Sequence, residues 1–184
     1  LPDIDFSVKM RLGLNSPDEW RSTIAIIDAM PLTHITVHPR TGRQQYKGEL
    51  HMDEFGELLG VVSKPVIFNG DIATATDIAA LADRDPALAG VMTGRGLLAS
   101  PWLIAEYRNG ETWPQERRIA ALLAMHSAIF DTYAPPLCGE TQLLSKLLPF
   151  WESPAVHLPA RLAKTLRKAR TLASYLQEIK RLGD

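Results

Sequence analysis

Four short stretches of this chain gather residue types that can hold an anion or a polar ring. They are Lys9 with Arg11, His38 with Arg40, Asn69-Gly70-Asp71, and Gly94-Arg95-Gly96. Glycine has no Cβ, so Gly70, Gly94 and Gly96 allow backbone N–H groups to come close to a bound anion. Arg95 can offer a phosphate a planar, permanently charged fork. Lys9 is a candidate cation opposite an anionic ring or phosphate, with snorkelling to solvent as the plain alternative. His38 ends an apolar run, where a hydrogen-bonded structural histidine is common; Arg40 and the glycine-bearing loop behind it point instead to a ligand contact. Asp71 can equally cap the helix after it, and the glycines can simply mark tight turns. No adjacent carboxylate pair, hydrolytic triad or zinc-spaced Cys/His cluster is present, so neither hydrolysis nor a metal is expected.

Each stretch sits at the end of an apolar run. Phe6–Leu12, Ile35–His38, Pro65–Phe68 and Gly90–Thr93 read as strands, rich in Val and Ile and without clean polar alternation, as in sheets covered on both faces. Helical patterns lie between them. Ser16-Pro17-Asp18-Glu19 opens the first with a capping box, and Trp20, Ile24, Ile27 and Met30 form its apolar stripe. A polar loop from Pro39 to Glu49 precedes a helix over Met52–Val62. Thr74–Ala82 is a third helix, and Ser100-Pro101 caps another that carries Trp102 and Ile104. Four strand–helix units in succession imply a parallel sheet, because each strand needs a crossover before the next. An open doubly wound sheet and part of a (β/α)8 barrel both satisfy the pattern, and both collect functional groups where strands end.

Beyond about residue 110 the strands stop. Helices are expected from Thr112 to Tyr133, ended by Pro135-Pro136, then over Thr141–Glu152 and Pro159–Leu182. The expected division is therefore an α/β domain over residues 1–110 and a helical domain over 111–184. In the last helix Leu162, Leu166, Ala169, Ala173 and Leu176 form an apolar stripe. Arg161, Lys164 and Lys168 form a basic one, with Arg167 and Arg170 nearby. Such a face can follow a nucleic-acid backbone or simply be solvated.

Composition bounds these readings. Of 184 residues, 46% are hydrophobic and 22% charged, with a formal net charge of -1, ordinary values for a globular chain. No apolar run approaches the roughly 20 residues of a membrane helix. Leu1-Pro2-Asp3 shows neither a basic leader nor an apolar signal core, and with a lone Cys138 no intrachain disulfide forms, which suits a cytoplasmic location.

Taken together, Val8-Lys9-Met10-Arg11-Leu12-Gly13, Thr36-Val37-His38-Pro39-Arg40-Thr41, Gln45-Tyr46-Lys47-Gly48, Pro65-Val66-Ile67-Phe68-Asn69-Gly70-Asp71-Ile72 and Gly90-Val91-Met92-Thr93-Gly94-Arg95-Gly96 resemble, in content, order and spacing, the tRNA-dihydrouridine synthases. Pro101-Trp102 follows as it does there, and the likeness covers roughly residues 6–105. The resemblance implies an FMN-bound (β/α)8 TIM barrel with a C-terminal helical domain, reducing the C5–C6 bond of particular tRNA uridines. It implies NADPH as reductant of the flavin, which passes hydride to C6 while a cysteine protonates C5. Carried over by residue, Lys9 and His38 contact the isoalloxazine ring. Asn69, Gly70, Asp71, Gly94 and Arg95 hold the ribityl chain and phosphate, Arg40 lies near the flavin or the base, and Arg161, Lys164, Arg167 and Lys168 face tRNA.

The matching units are those of the barrel's second half, four parallel β/α units out of eight. A complete barrel takes about 250 residues, against roughly 110 ahead of the helical part. The family's catalytic cysteine belongs to the first half, and Cys138, placed after Pro135-Pro136-Leu137, is expected to be an incidental thiol. A half barrel exposes unpaired strand edges, a route to self-association. Two alternatives stand beside this reading: another FMN-dependent barrel oxidoreductase acting on a small molecule, and a non-catalytic phosphate- or RNA-binding fragment.

Overall fold

The computed structural model describes residues 4–137 and 139–183; Cys138 lies outside the described residues. The chain packs as two units, one formed by the residues up to Ile72 with Thr76–Thr93, the other by Ala73–Ala75 with the chain from Gly94 onward. The division falls at Thr93, ahead of the expected boundary near residue 110. Trp102 accounts for the shift: it is buried in the core of the helical unit, so the segment after the last strand packs with the helices.

The first unit is α/β. Its sheet holds β1 (Ser7–Gly13), β2 (His34–Thr41), β3 (Val66–Phe68) and β4 (Gly90–Val91), in that spatial order. All three neighbouring pairs are parallel. Strands that follow one another around a sheet in chain order are the barrel arrangement, whereas a doubly wound sheet reverses order at a switch point. The sheet thus has the form of part of a (β/α)8 barrel. Helices α1 (Ile24–Asp28), α2 (Met52–Val61) and α3 (Ala75–Arg84) occupy the crossovers.

Alternation along the strands is cleaner than expected. Side chains point to opposite faces in turn, and in register Lys9 lies beside Thr36, Arg11 beside His38, and Thr36 beside Ile67. One face therefore carries Lys9, Arg11, Thr36, His38 and Arg40. The other carries Leu12, Ile35, Val37, Val66 and Phe68, all at most 2% exposed. Phe55 and Leu58 of α2 are fully buried, and Phe55 meets Phe68 edge-on at 5.2 Å. Burying side chains of this size stabilises by about 1.5–3 kcal/mol each, which holds α2 to the apolar face.

Two local expectations change. The helix after Ser16 is broken into a 3-10 turn over Glu19–Ser22 and the short α1. Only half of the capping box forms. The Glu19 carboxylate accepts the backbone N–H groups of Leu14, Asn15 and Ser16 at 2.7, 3.1 and 2.9 Å, but the Ser16 hydroxyl donates to Asp18 instead of capping. Trp20 and Ile24 are buried as expected, whereas Met30 is exposed. The second change is in β2, which runs on to Thr41 where a polar loop was expected from Pro39. Arg40 and Thr41 are buried there because both find polar partners.

The second unit is helical: α4 (Arg95–Ala99), α5 (Leu103–Asn109), α6 (Gln115–Tyr133), α7 (Glu140–Leu147), α8 (Ala160–Arg167) and α9 (Leu172–Gly183). Its core gathers Trp102, Leu122, Leu147, Trp151, Leu166 and Tyr175, and the Trp151 indole N–H donates to the Tyr175 hydroxyl at 2.7 Å. The single helix expected over Pro159–Leu182 is two. Thr171 interrupts it: its Oγ1 accepts the Ser174 N–H at 3.2 Å, as an N-cap does. The restart changes the phase of the buried face. Ala173 and Leu176 of the expected stripe are exposed, and Leu172, Tyr175, Ile179 and Leu182 face the core instead.

Candidate ligand site at the strand ends

The polar face of the sheet and the loops beyond β2 and β3 form the candidate site. Lys9 is exposed and Arg11 half-buried on β1. His38 is 4% exposed on β2, its ring 6.3 Å from that of Tyr46. Burial first, and then the charges of Arg11, Lys9 and Arg40, push His38 down to about 4, with Asp71 opposing. At neutral pH it is therefore an uncharged imidazole.

The loop after β2 is held from beneath. Arg11 Nη1 donates to the carbonyls of Thr41 and Gln45 at 2.9 and 2.7 Å, and its guanidinium lies 5.6 Å from the Tyr46 ring centroid. Gln44 Oε1 accepts the Thr41 N–H at 2.7 Å and lies 3.0 Å from His51 Nε2. Gly48 has φ +73, a left-handed value suited to glycine, and its carbonyl turns to Arg40. The bracing roles of Arg11, Gln44 and Gly48 were not foreseen from sequence. The left-handed turn glycine was the one available signal.

Arg40 was expected near a flavin or a base. Its guanidinium is buried, with the residue 3% exposed, and lies against Asp71 Oδ1 at 2.9 Å, Asp71 Oδ2, and the Gly48 carbonyl. Its charge is held firmly by the Asp71 carboxylate. Asp71 has φ +38, so the turn after β3 contains a left-handed non-glycine residue fixed by an ion pair. Asn69 ties this turn to the neighbouring strand end: its N–H donates to Val37 O at 2.9 Å and its Nδ2 to Met92 O at 2.7 Å.

Of the three candidate anion glycines, Gly70 and Gly94 differ in their surroundings. A Cβ on Gly70 would lie 3.1 and 3.2 Å from the Leu50 methyls and 3.3 Å from the Phe68 ring. Close packing is thus one reason for glycine at position 70. A Cβ on Gly94 would meet nothing within 4 Å, and φ there is -117, so neither packing nor a left-handed backbone demands glycine. Gly94 follows Thr93 directly and precedes α4, whose first residue is the exposed Arg95.

In the helical unit, Lys164, Arg167 and Lys168 line one groove of about 640 Å³ with Ser145, Pro149 and Glu152. Arg161 is exposed on the same helix. The buried face of α8, Ala163 and Leu166, is turned to the core.

Parallel strands in chain order, with a polar face and shaped loops at their carboxyl ends, define the β/α-barrel class of fold. Residues 2–141 match the dihydrouridine synthase (Dus) family model. The chain belongs to the dihydrouridine synthase family. It is 36% identical over 129 residues to a probable tRNA-dihydrouridine synthase of Rhizobium leguminosarum bv. phaseoli, covering 67% of this chain and 39% of that protein. It is 33% identical over 138 residues to a probable tRNA-dihydrouridine synthase of Rickettsia bellii, covering 71% of this chain and 42% of that protein. The chain thus spans about two fifths of the length of these curated relatives.

Proposed function

We propose that this chain serves the reduction of uridine to 5,6-dihydrouridine in tRNA, with FMN as bound cofactor and NADPH as reductant. The observation that carries the reading is the polar sheet face of Lys9, Arg11 and His38, in a chain of this family. The donor set fits FMN. Lys9 and Arg11 supply cationic donors for an electron-rich ring and the neutral His38 supplies a polar contact, while the resemblance assigns the phosphate to Gly94. The resemblance brings Arg95 to that phosphate as well. When bound, the flavin supplies hydride-transfer chemistry.

The residues of this chain have binding and positioning roles in that reading. Lys9 is an exposed cation on β1, suited to favour negative charge on a ring lying over it. Asn69 and Asp71 shape the turn after β3 and hold it to β2 and β4. The C5 proton donor, a cysteine by resemblance, is absent from residues 6–105, whose sequence contains no cysteine. The chain by itself is therefore proposed to lack synthase activity. Arg161, Lys164, Arg167 and Lys168 are the proposed tRNA contacts, and a cytoplasmic location belongs to the same reading. No described helix is long and apolar enough to cross a membrane.

The test is made on the intact protein. Purification should yield a flavin absorbance spectrum, and incubation with NADPH and unmodified tRNA should produce dihydrouridine. Lys164→Glu with Lys168→Glu should weaken tRNA binding and flatten its dependence on salt, because each phosphate contact adds to the salt slope. Flavin binding without uridine reduction would favour a small-molecule oxidoreductase. Neither flavin nor reduction would remove the reading.

A further inference from the structure

Arginine carries five N–H donors and no acceptor, and the surroundings of Arg40 account for all five. Nε and Nη2 donate to the Gly48 carbonyl at 3.1 and 2.7 Å. Nη2 also donates to Asp71 Oδ2, and Nη1 to Asp71 Oδ1 at 2.9 Å. The remaining contact is Nη1 to His38 Nε2 at 3.4 Å. With its donors engaged inside the protein and its side chain 4% exposed, Arg40 is built to organise its neighbours.

The contact with His38 has a chemical consequence. Because the guanidinium only donates, Nε2 of His38 must be the accepting nitrogen, and the single ring proton of the neutral imidazole must sit on Nδ1. We propose that Arg40 is a positioning residue that holds His38 as the neutral Nδ1–H tautomer while clamping the Asp71 turn to the Gly48 loop. His38 then presents one hydrogen-bond donor to whatever occupies the strand-end site, and neither a positive charge nor a second donor.

The groups facing His38 favour the same state. Lys9 and Arg11 on β1 and Arg40 on β2 oppose protonation, and Asp71, the facing carboxylate, is occupied by Arg40. Tyr46 is a further titratable neighbour. The clamp also joins residues far apart in the chain, since Arg40 lies in β2 and Asp71 follows β3. Gly48 (φ +73) and Asp71 (φ +38) both adopt left-handed backbone values, and the same guanidinium holds both. That the acceptor of the Nδ1 proton is the flavin rests on the function proposed above; the tautomer itself does not.

Long-range ¹H–¹⁵N correlation spectra of the imidazoles test the inference in the intact protein, with His38→Gln identifying the His38 signal. The wild-type ring should show Nδ1 protonated and Nε2 bare, unchanged from about pH 8 to about pH 6, through the ordinary imidazole range. Arg40→Met should move the proton toward Nε2 and make His38 titrate about one pH unit higher, since a nearby cation is lost and Asp71 is released. Arg40→Lys should not restore the wild-type pattern, because an ammonium cannot span Gly48, Asp71 and His38 together. A wild-type Nε2–H tautomer overturns the inference, as does an Arg40→Met spectrum identical to wild type. Should Arg40→Met fail to fold, the wild-type spectrum alone decides. Titration with FMN separates the two claims: an Nδ1–H ring in a protein that takes up no FMN removes the flavin reading and leaves this one standing.

Discussion

At the scale of single residues, Gly70 and Gly94 have different surroundings, and a substitution separates them. At Gly70 the added methyl presses on the Leu50 methyls and the Phe68 ring, so Gly70→Ala should destabilise through packing, by roughly 1–3 kcal/mol. At Gly94 there is room and no left-handed backbone. Gly94→Ala should change stability by no more than about 1 kcal/mol, the scale of a helix-cap effect, while weakening FMN uptake if the backbone there meets the phosphate. Thermal melts with and without FMN measure both. Equal losses of stability and uptake at the two positions would mean that both glycines serve packing. Both motifs were legible in the sequence; which glycine was packed and which open was not, because that depends on Leu50, a residue from another loop.

At the scale of elements, α6 carries a titratable group into the helical core. His126 is buried among Phe150, Trp151 and Tyr175, with ring centroids 5.5–6.1 Å away, and its Nε2 has no hydrogen-bond partner. Burial lowers its pKa from the ordinary 6.5. The unfolded chain then binds a proton more readily than the folded one, so the His126 contribution to stability is complete above about pH 6.5 and is lost as pH falls below it. His38 and His157, also lowered by burial, add to the same slope. Urea midpoints at about pH 7.5 and pH 5.5 should therefore differ, with the acidic sample weaker, through the linkage of protonation to unfolding. His126→Phe should reduce that difference, and an unaltered pH slope would show that His126 does not contribute. Elements were easiest to read where one signal dominated. Apolar runs located all four strands, and Thr171 was the cap that the unbroken apolar spacing of α8 and α9 concealed.

At the scale of the whole molecule, the order β1-β2-β3-β4 leaves β1 and β4 as end strands, and no described strand pairs with their outer edges. Open parallel edges invite another strand. We expect the chain, expressed as it stands, to associate in a concentration-dependent way, and light scattering checks this. A monodisperse monomer over a wide concentration range would show the edges to be protected. The chain spans about two fifths of its curated relatives, so co-expression with the remainder of such a relative is the matching experiment. Recovery of a monomer would tie the association to the edges.

The amino-acid order by itself determined the alternation of strand and helix, the parallel sheet, the change to an all-helical region, and the residues gathered at strand ends. These are local matters of apolar periodicity, chain punctuation and side-chain type, which short windows contain. The tertiary structure alone decided that Arg40 turns inward to Asp71, that the unit boundary falls at Thr93, and that Tyr175 replaces Leu176 in the core. Each of those outcomes depends on partners brought together from distant parts of the chain, where burial and hydrogen-bond satisfaction outweigh local preference.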